Sequence, residues 1–191
     1  MSTTETNSNT PTTGDQPTLH SGTWVVEPAH SEVGFTVRHL GLSKVRGRFN
    51  SFTATAEISD PTTASSVQAS IDMSSVDTNN PDRDGHLQSG DFFNAETSPQ
   101  MTFVSTSVTD DTLAGDLTIN GVTKPVELDL EFHGVTVDGY GMTRAGFSAE
   151  GQIKRSDFGI DFNMPVGMDG MLISDKVNIS LEIQLVPSDA S

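Results

Sequence analysis

From Trp24 onward the apolar residues of this chain recur at every second position, the spacing of β-strands with one buried face. Val33, Phe35 and Val37 alternate with Glu32, Thr36 and Arg38, and Val67, Ala69, Ile71 and Met73 with Gln68, Ser70 and Asp72. The pattern returns in Leu113, Gly115, Leu117 and Ile119, in Val126, Leu128, Leu130 and Phe132, and in Phe147, Ala149, Gly151 and Ile153. The last run, Val177 to Leu185, keeps the same period. Asn120-Gly121 between Ile119 and Val122 is the dipeptide of a two-residue hairpin, which predicts antiparallel neighbours, and Asp138-Gly139 offers a second such turn. Pro125 lacks a ladder donor and belongs at an edge or a bulge. The one helical stretch is short, near residues 82 to 89, opened by Pro81 and Asp82 and closed before Gly90.

About eight one-sided strands without covering helices must bury their oily faces against each other. A sandwich and a closed barrel both achieve this, and period-two alternation does not choose between them. The fold class is therefore all-β. Residues 1–21, rich in Thr, Ser, Asn and Pro, read as a polar arm that buries little; residues 22–187 form the domain and 188–191 a short tail.

With 191 residues, one domain is expected, large enough for a core without staples. The chain has no cysteine, which removes disulfides, thiolate metal sites and a cysteine nucleophile. Its formal charge is −16, and a field of that sign repels nucleic acid and anionic lipid headgroups as main targets. The arm holds Glu5 and Asp15 but no base, so it lacks the basic start and apolar run of a secretory signal, and a cytoplasmic location is expected. No window is long and apolar enough to span a bilayer as a helix.

The five histidines, His20, His30, His39, His86 and His133, show no metal-ligand spacing, although distant ones could gather in the fold. His39 shares parity with Phe35 and Val37 and points inward at a strand end, where a polar group could meet a ligand headgroup. No serine stands in a Gly-framed elbow, and the glycines do not form a phosphate loop. The segment RDGHLQSGDFF, residues 83–93, is the densest in charge and aromatics. Read as function, it is a lid in which Phe92 and Phe93 close a cavity while Arg83, Asp84 and His86 form a polar mouth. Read as structure, it is a loop pinned by an Arg-Asp pair and two aromatic anchors. An enzyme acting on a lipid-like substrate through His39, His86 and Asp84 is the rival reading.

Six ordered motifs are shared with one family: TWVVEPAHSEVGFTVRHLG, VRGRFNSF, SVQASIDMSSVDT, RDGHLQSGDFF, LAGDLTINGVTKPVEL and IKRSDFGID. Through them the chain resembles the YceI-like family of lipocalin-like, polyisoprenoid-binding proteins over nearly all of residues 23–186. The resemblance implies an antiparallel lipocalin-like β-barrel with an elongated internal apolar cavity and one short helix. It also implies a non-enzymatic carrier or scavenger, without a cofactor, whose partner is a polyisoprenoid, an isoprenoid quinone or a fatty-chain lipid. Many members are exported. No stable membrane insertion is expected, and a homodimer is compatible with the reading. On that barrel the ligand-lining residues would be Val33, Phe35, Val37, His39, Phe49 and Phe52 from the early strands. Ile71, Phe92, Phe93, Phe103 and Leu117 would follow from the middle, and Phe132, Phe147, Ile153, Phe158, Ile179 and Leu181 from the last third.

Overall fold

The computed structural model describes residues 17–166 and 170–189. Its strands are β1 (Gly22–Val26), β2 (Glu32–His39), β3 (Ser43–Phe49), β4 (Phe52–Ile58), β5 (Ser66–Asp72) and β6 (Val76–Asp77). After helix α1 (Pro81–Gln88) come β7 (Gln100–Val108), β8 (Thr112–Ile119), β9 (Val122–Val137) and β10 (Thr143–Lys154), then the short β11 (Pro165–Val166) and β12 (Gly170–Met171), and finally β13 (Lys176–Pro187). The hydrogen-bonded order β1-β4-β5-β7-β8-β9-β10-β13 closes on itself through a β1–β13 pairing, so the fold is an eight-stranded antiparallel barrel. Closure leaves none of the eight with a wholly free edge and answers the choice that alternation leaves open.

The wall forks at β13. One edge of that strand pairs with β10 along ten residue pairs. Its other edge pairs with β2 over residues 178–182 and then with β1 over residues 185–187. β3 and β6 continue outward from β2, which lengthens the barrel at that end.

Asn120 and Gly121 have φ of 49° and 75°, the two positive values that their hairpin requires. The second turn differs from its expectation. Between β9 and β10 the chain runs through Asp138–Met142, and the positive φ falls on Gly141 (83°) instead of on Gly139. The Asp138 carboxylate, accepting from the Tyr140 and Met142 amides, organises this wider loop. Pro125 stands opposite Asp116 in an unbroken β8–β9 register, while β10 begins to pair with β9 only at Asp129. Counting the alternation back from the Ile119–Val122 hairpin pair, Pro125 takes a position whose nitrogen faces the free edge. The missing donor costs nothing there.

α1 spans Pro81–Gln88, with the Asn80 side chain accepting from the Arg83 amide and Pro81 at the first turn. Leu19 packs against a cluster of Trp24, Val26, Ala56, Ala145 and Leu185, and the His20 carbonyl accepts the Trp24 indole N–H at 3.0 Å. The folded body thus takes in residues whose composition reads as arm; the first sixteen residues of that arm lie outside the described ones.

Candidate functional site

The barrel encloses a cavity of about 1530 Å³. Drug-sized pockets are about 300–1,000 Å³, so this space suits a larger guest. It exists because the wall is thin where the rings lie. Phe35 lies over Gly47, its cross-strand neighbour, and a Cβ at Gly47 would overlap the Phe35 ring. Phe103 covers Gly115 in the same way. Each ring is laid along its own wall by the glycine beneath it, and the lumen stays open.

Most of the residues expected to line a ligand site do face this cavity. Val33, Phe35, Val37, His39 and Phe49 come from β2 and β3, and Phe52, Ile71, Phe103 and Leu117 from β4, β5, β7 and β8. Phe132, Phe147, Ile153, Ile179 and Leu181 come from β9, β10 and β13, and Phe92 and Phe93 from the loop after α1. Phe158 does not. The strand ends at Lys154, residues Arg155–Phe158 turn into a 3-10 helix closed by Gly159 at φ 71°, and Phe158 is 1% exposed within the wall. Its expected place among the lining residues follows from the family resemblance; strand parity, inward at the odd positions 147 to 153, points it outward. Phe132 lines the cavity yet stays 45% exposed, beside Phe147 at a bulge in the β9–β10 register, so it stands where the lumen meets solvent.

Sequence alternation misses the lining residues that come from irregular segments. Phe162 lies in a loop and packs edge-on against His86 (5.0 Å) and Phe92 (5.2 Å). Arg155, 7% exposed, donates through Nε to the Ser174 carbonyl at 3.0 Å and through Nη1 to the Ile160 and Phe162 carbonyls at 2.8 Å. Burial lowers its pKa from the ordinary guanidinium value, while Asp175 and Asp161 pull the other way. The only prior signal for it is the motif IKRSDFGID.

The charged residues of the cavity gather unevenly, although Arg38 and His20 also line it. At the end beneath α1 stand Arg83, Arg155, His39 and His86, and at the opposite end Asp60, Asp110 and Glu131. Arg83 is fixed by Thr78, donating from Nε to its hydroxyl at 2.7 Å and from Nη2 to its carbonyl at 2.6 Å. Asp84 accepts from the same residue's amide at 2.8 Å. Both charges therefore clamp Thr78, and the Arg-Asp pair expected to pin the loop does not form. Asp84 is outside the cavity lining, and His86 Nε2 pairs with Asp91 at 2.9 Å, so the rival trio of His39, His86 and Asp84 is not assembled into a site. Among the described residues no three His, Asp or Glu side chains converge as metal ligands.

The family described as YceI-like domain matches residues 24–185. Protein YceI of Escherichia coli is 46% identical over 139 residues, covering 70% of this chain and 73% of its own. Among solved structures, Burkholderia cenocepacia BcnA is similar at a TM-score of 0.71 and 25% identity, over 83% of this chain and 98% of that one. A polyisoprenoid binding domain from Saccharophagus degradans has a TM-score of 0.66 at 16% identity, over 88% and 99% of the two chains.

Proposed function

The chain belongs to the YceI-like family, and from that premise we propose that it is a binding protein, not an enzyme, which carries or sequesters an isoprenoid or another long-chain apolar lipid in its barrel. The observation that carries this reading is the 1530 Å³ lumen walled by Phe, Ile, Leu and Val. The name of the Saccharophagus degradans domain supports it, since a barrel of the same shape is described there as polyisoprenoid-binding.

Burying about a dozen methylenes at ~0.8 kcal/mol each offers roughly 10 kcal/mol. Ordering the chain and losing its free motion remove several kcal/mol, which leaves an affinity on the order of micromolar or tighter. An apolar wall recognises length and branching better than polar detail. The Arg83, His39 and His86 end is the place for an electron-rich head such as a quinone carbonyl or a phosphate.

Native mass spectrometry of the purified chain, followed by organic extraction, tests the proposal. The expected result is a stoichiometric lipid, or uptake of a fluorescent prenyl or fatty probe by the emptied barrel. No extracted lipid together with no uptake overturns it.

A further inference from the structure

The acidity of the chain is unevenly spread. Of its ten Lys and Arg residues, Arg38, Lys44, Arg46 and Arg48 lie within eleven positions, and no Asp or Glu occurs between Val33 and Ala56. Pairing gathers more of them. Lys154 on β10 stands directly opposite Lys176 on β13, and Arg38 on β2 directly opposite Lys44 on β3. Beyond the Asn178–Thr36 pair the register slips by two residues: the Ser174 amide donates to the Arg38 carbonyl at 3.0 Å, and Lys176 lies in the stretch between the two contacts. Four neighbouring strands thus bring two like-charged pairs, Lys154–Lys176 and Arg38–Lys44, to the same end of the barrel, with Arg46 close by, opposite Thr36. All five are exposed.

Like charges directly opposite each other destabilise a sheet, and here the barrel holds two such pairs side by side. Within this group and Arg48, the sole ion pair among the described residues is Arg48 with Asp77 at 3.5 Å, although Lys154 also feels the Asp175 carboxylate. Beyond the band projects the β2–β3 turn, Leu40-Gly41-Leu42. Its φ values of 55° at Leu40 and 67° at Gly41 tighten it, and bonds from the Leu42 amide to the His39 carbonyl and from the Leu40 amide to the Leu172 carbonyl hold it. Leu42 is 81% exposed and Leu40 38%, with Met164 also exposed nearby in the chain that meets Leu172. His39 and Ser43, which flank this turn, line the cationic end of the cavity.

We propose that this face, the cationic band with its leucine tip, docks the barrel on an anionic lipid bilayer. The chemistry complements such a surface on both counts: bases reach the phosphate layer, and two leucines beyond them enter the acyl boundary. An acidic protein or a nucleic acid would match the charges alone and leave the leucines without use. The total charge of −16 does not prevent it, because at physiological salt charges more than about 8 Å away are largely screened. Docked in this way, the barrel presents the cationic end of its cavity to the membrane.

Co-flotation of the delipidated full chain with phosphatidylcholine vesicles, with or without phosphatidylglycerol, tests the proposal independently of which lipid the cavity holds. Binding is expected only to the phosphatidylglycerol vesicles, weakening as salt is raised. Lys44→Gln and Arg46→Gln should each lower the partition coefficient about fivefold. Leu42→Ser should lower it at every salt concentration, and all three variants, being at exposed positions, should keep the wild-type melting temperature and uptake of a prenyl probe. Equal binding to both vesicle types, no effect of Leu42→Ser, or an equal loss in Lys124→Gln on exposed β9 would overturn it. So would absence of vesicle binding, whether or not the same face then retains an acidic protein.

Discussion

The barrel contains two apolar regions built from the same kinds of residue: Trp24 and Ala145 are packed away from the lumen, while their neighbours Val26, Ala56 and Leu185 also face it. Around Trp24 the small side chains, Ala56 (3% exposed) and Ala145 (fully buried), make room for the indole, which is itself fully buried. Around the lumen the smallest residues, Gly47 and Gly115, make room for Phe35 and Phe103 on their own walls, so the rings lie flat and the centre remains empty. Where a small residue lies therefore matters as much as its size. Beside a large side chain that reaches inward it permits filling; beneath a ring it permits a hole.

Truncation should separate the two regions most. Trp24→Ala removes a side chain packed on all sides and should cost ~3–5 kcal/mol in denaturant unfolding of the delipidated protein. Phe35→Ala enlarges a space that is already open, so its cost should fall well below that range while the preferred chain length of the bound lipid changes. Equal penalties, without any change in ligand, would mean that the lumen is packed in solution.

Enlargement is the converse experiment. Ala145→Val overfills the Trp24 region and should cost about 1–3 kcal/mol. Gly47→Ala meets the Phe35 ring first, which has the lumen to move into, and should cost less while shifting lipid preference toward shorter or thinner chains. A Gly47→Ala penalty as large as that of Ala145→Val would show that the ring has nowhere to go.

A smaller effect is expected at the chain's entry to the Trp24 region. Comparing deletion of residues 1–16 with deletion of 1–20 isolates Leu19 and the His20 carbonyl that takes the Trp24 indole N–H. Losing that hydrogen bond should cost about 1 kcal/mol, a drop of roughly 2–4 °C in melting temperature. Identical melting curves for the two deletions would remove the contact from the account.

The smallest effect concerns the loop beyond the same region. The Arg144 side chain, donating from Nε at 2.8 Å, and then the Met142 and Tyr140 amides hold the Asp138 carboxyl below its usual pKa. A carboxylate depressed in the folded state stabilises above its unfolded value, near 4, and loses that contribution as pH falls through its lower folded value. The stability gap between wild type and Asp138→Asn should thus be widest near neutrality and close in acid. A gap independent of pH would place the effect elsewhere.

Much of the cavity was legible along the chain. Alternation aimed Phe35, Leu117, Phe147 and Ile179 at one face, because strand geometry makes inward direction a matter of parity. Phe158, placed in the lining by resemblance alone, lies instead in the 3-10 helix that follows β10. Phe162 and Arg155 escaped alternation because a loop carries no period. The Arg83–Thr78–Asp84 clamp could not be read either, since two neighbouring opposite charges look like a pair until a third residue takes both.

The sequence by itself determined the all-β class, the Asn120-Gly121 hairpin and the family, through local turn chemistry and period-two burial, which act over a few residues. Only the tertiary structure decided that the sheet closes through β1 and β13, that the lumen stays open, and that the pairs Lys154–Lys176 and Arg38–Lys44 gather at one end. Those outcomes depend on register between strands far apart in the chain, and register is fixed by the whole set of cross-strand contacts at once.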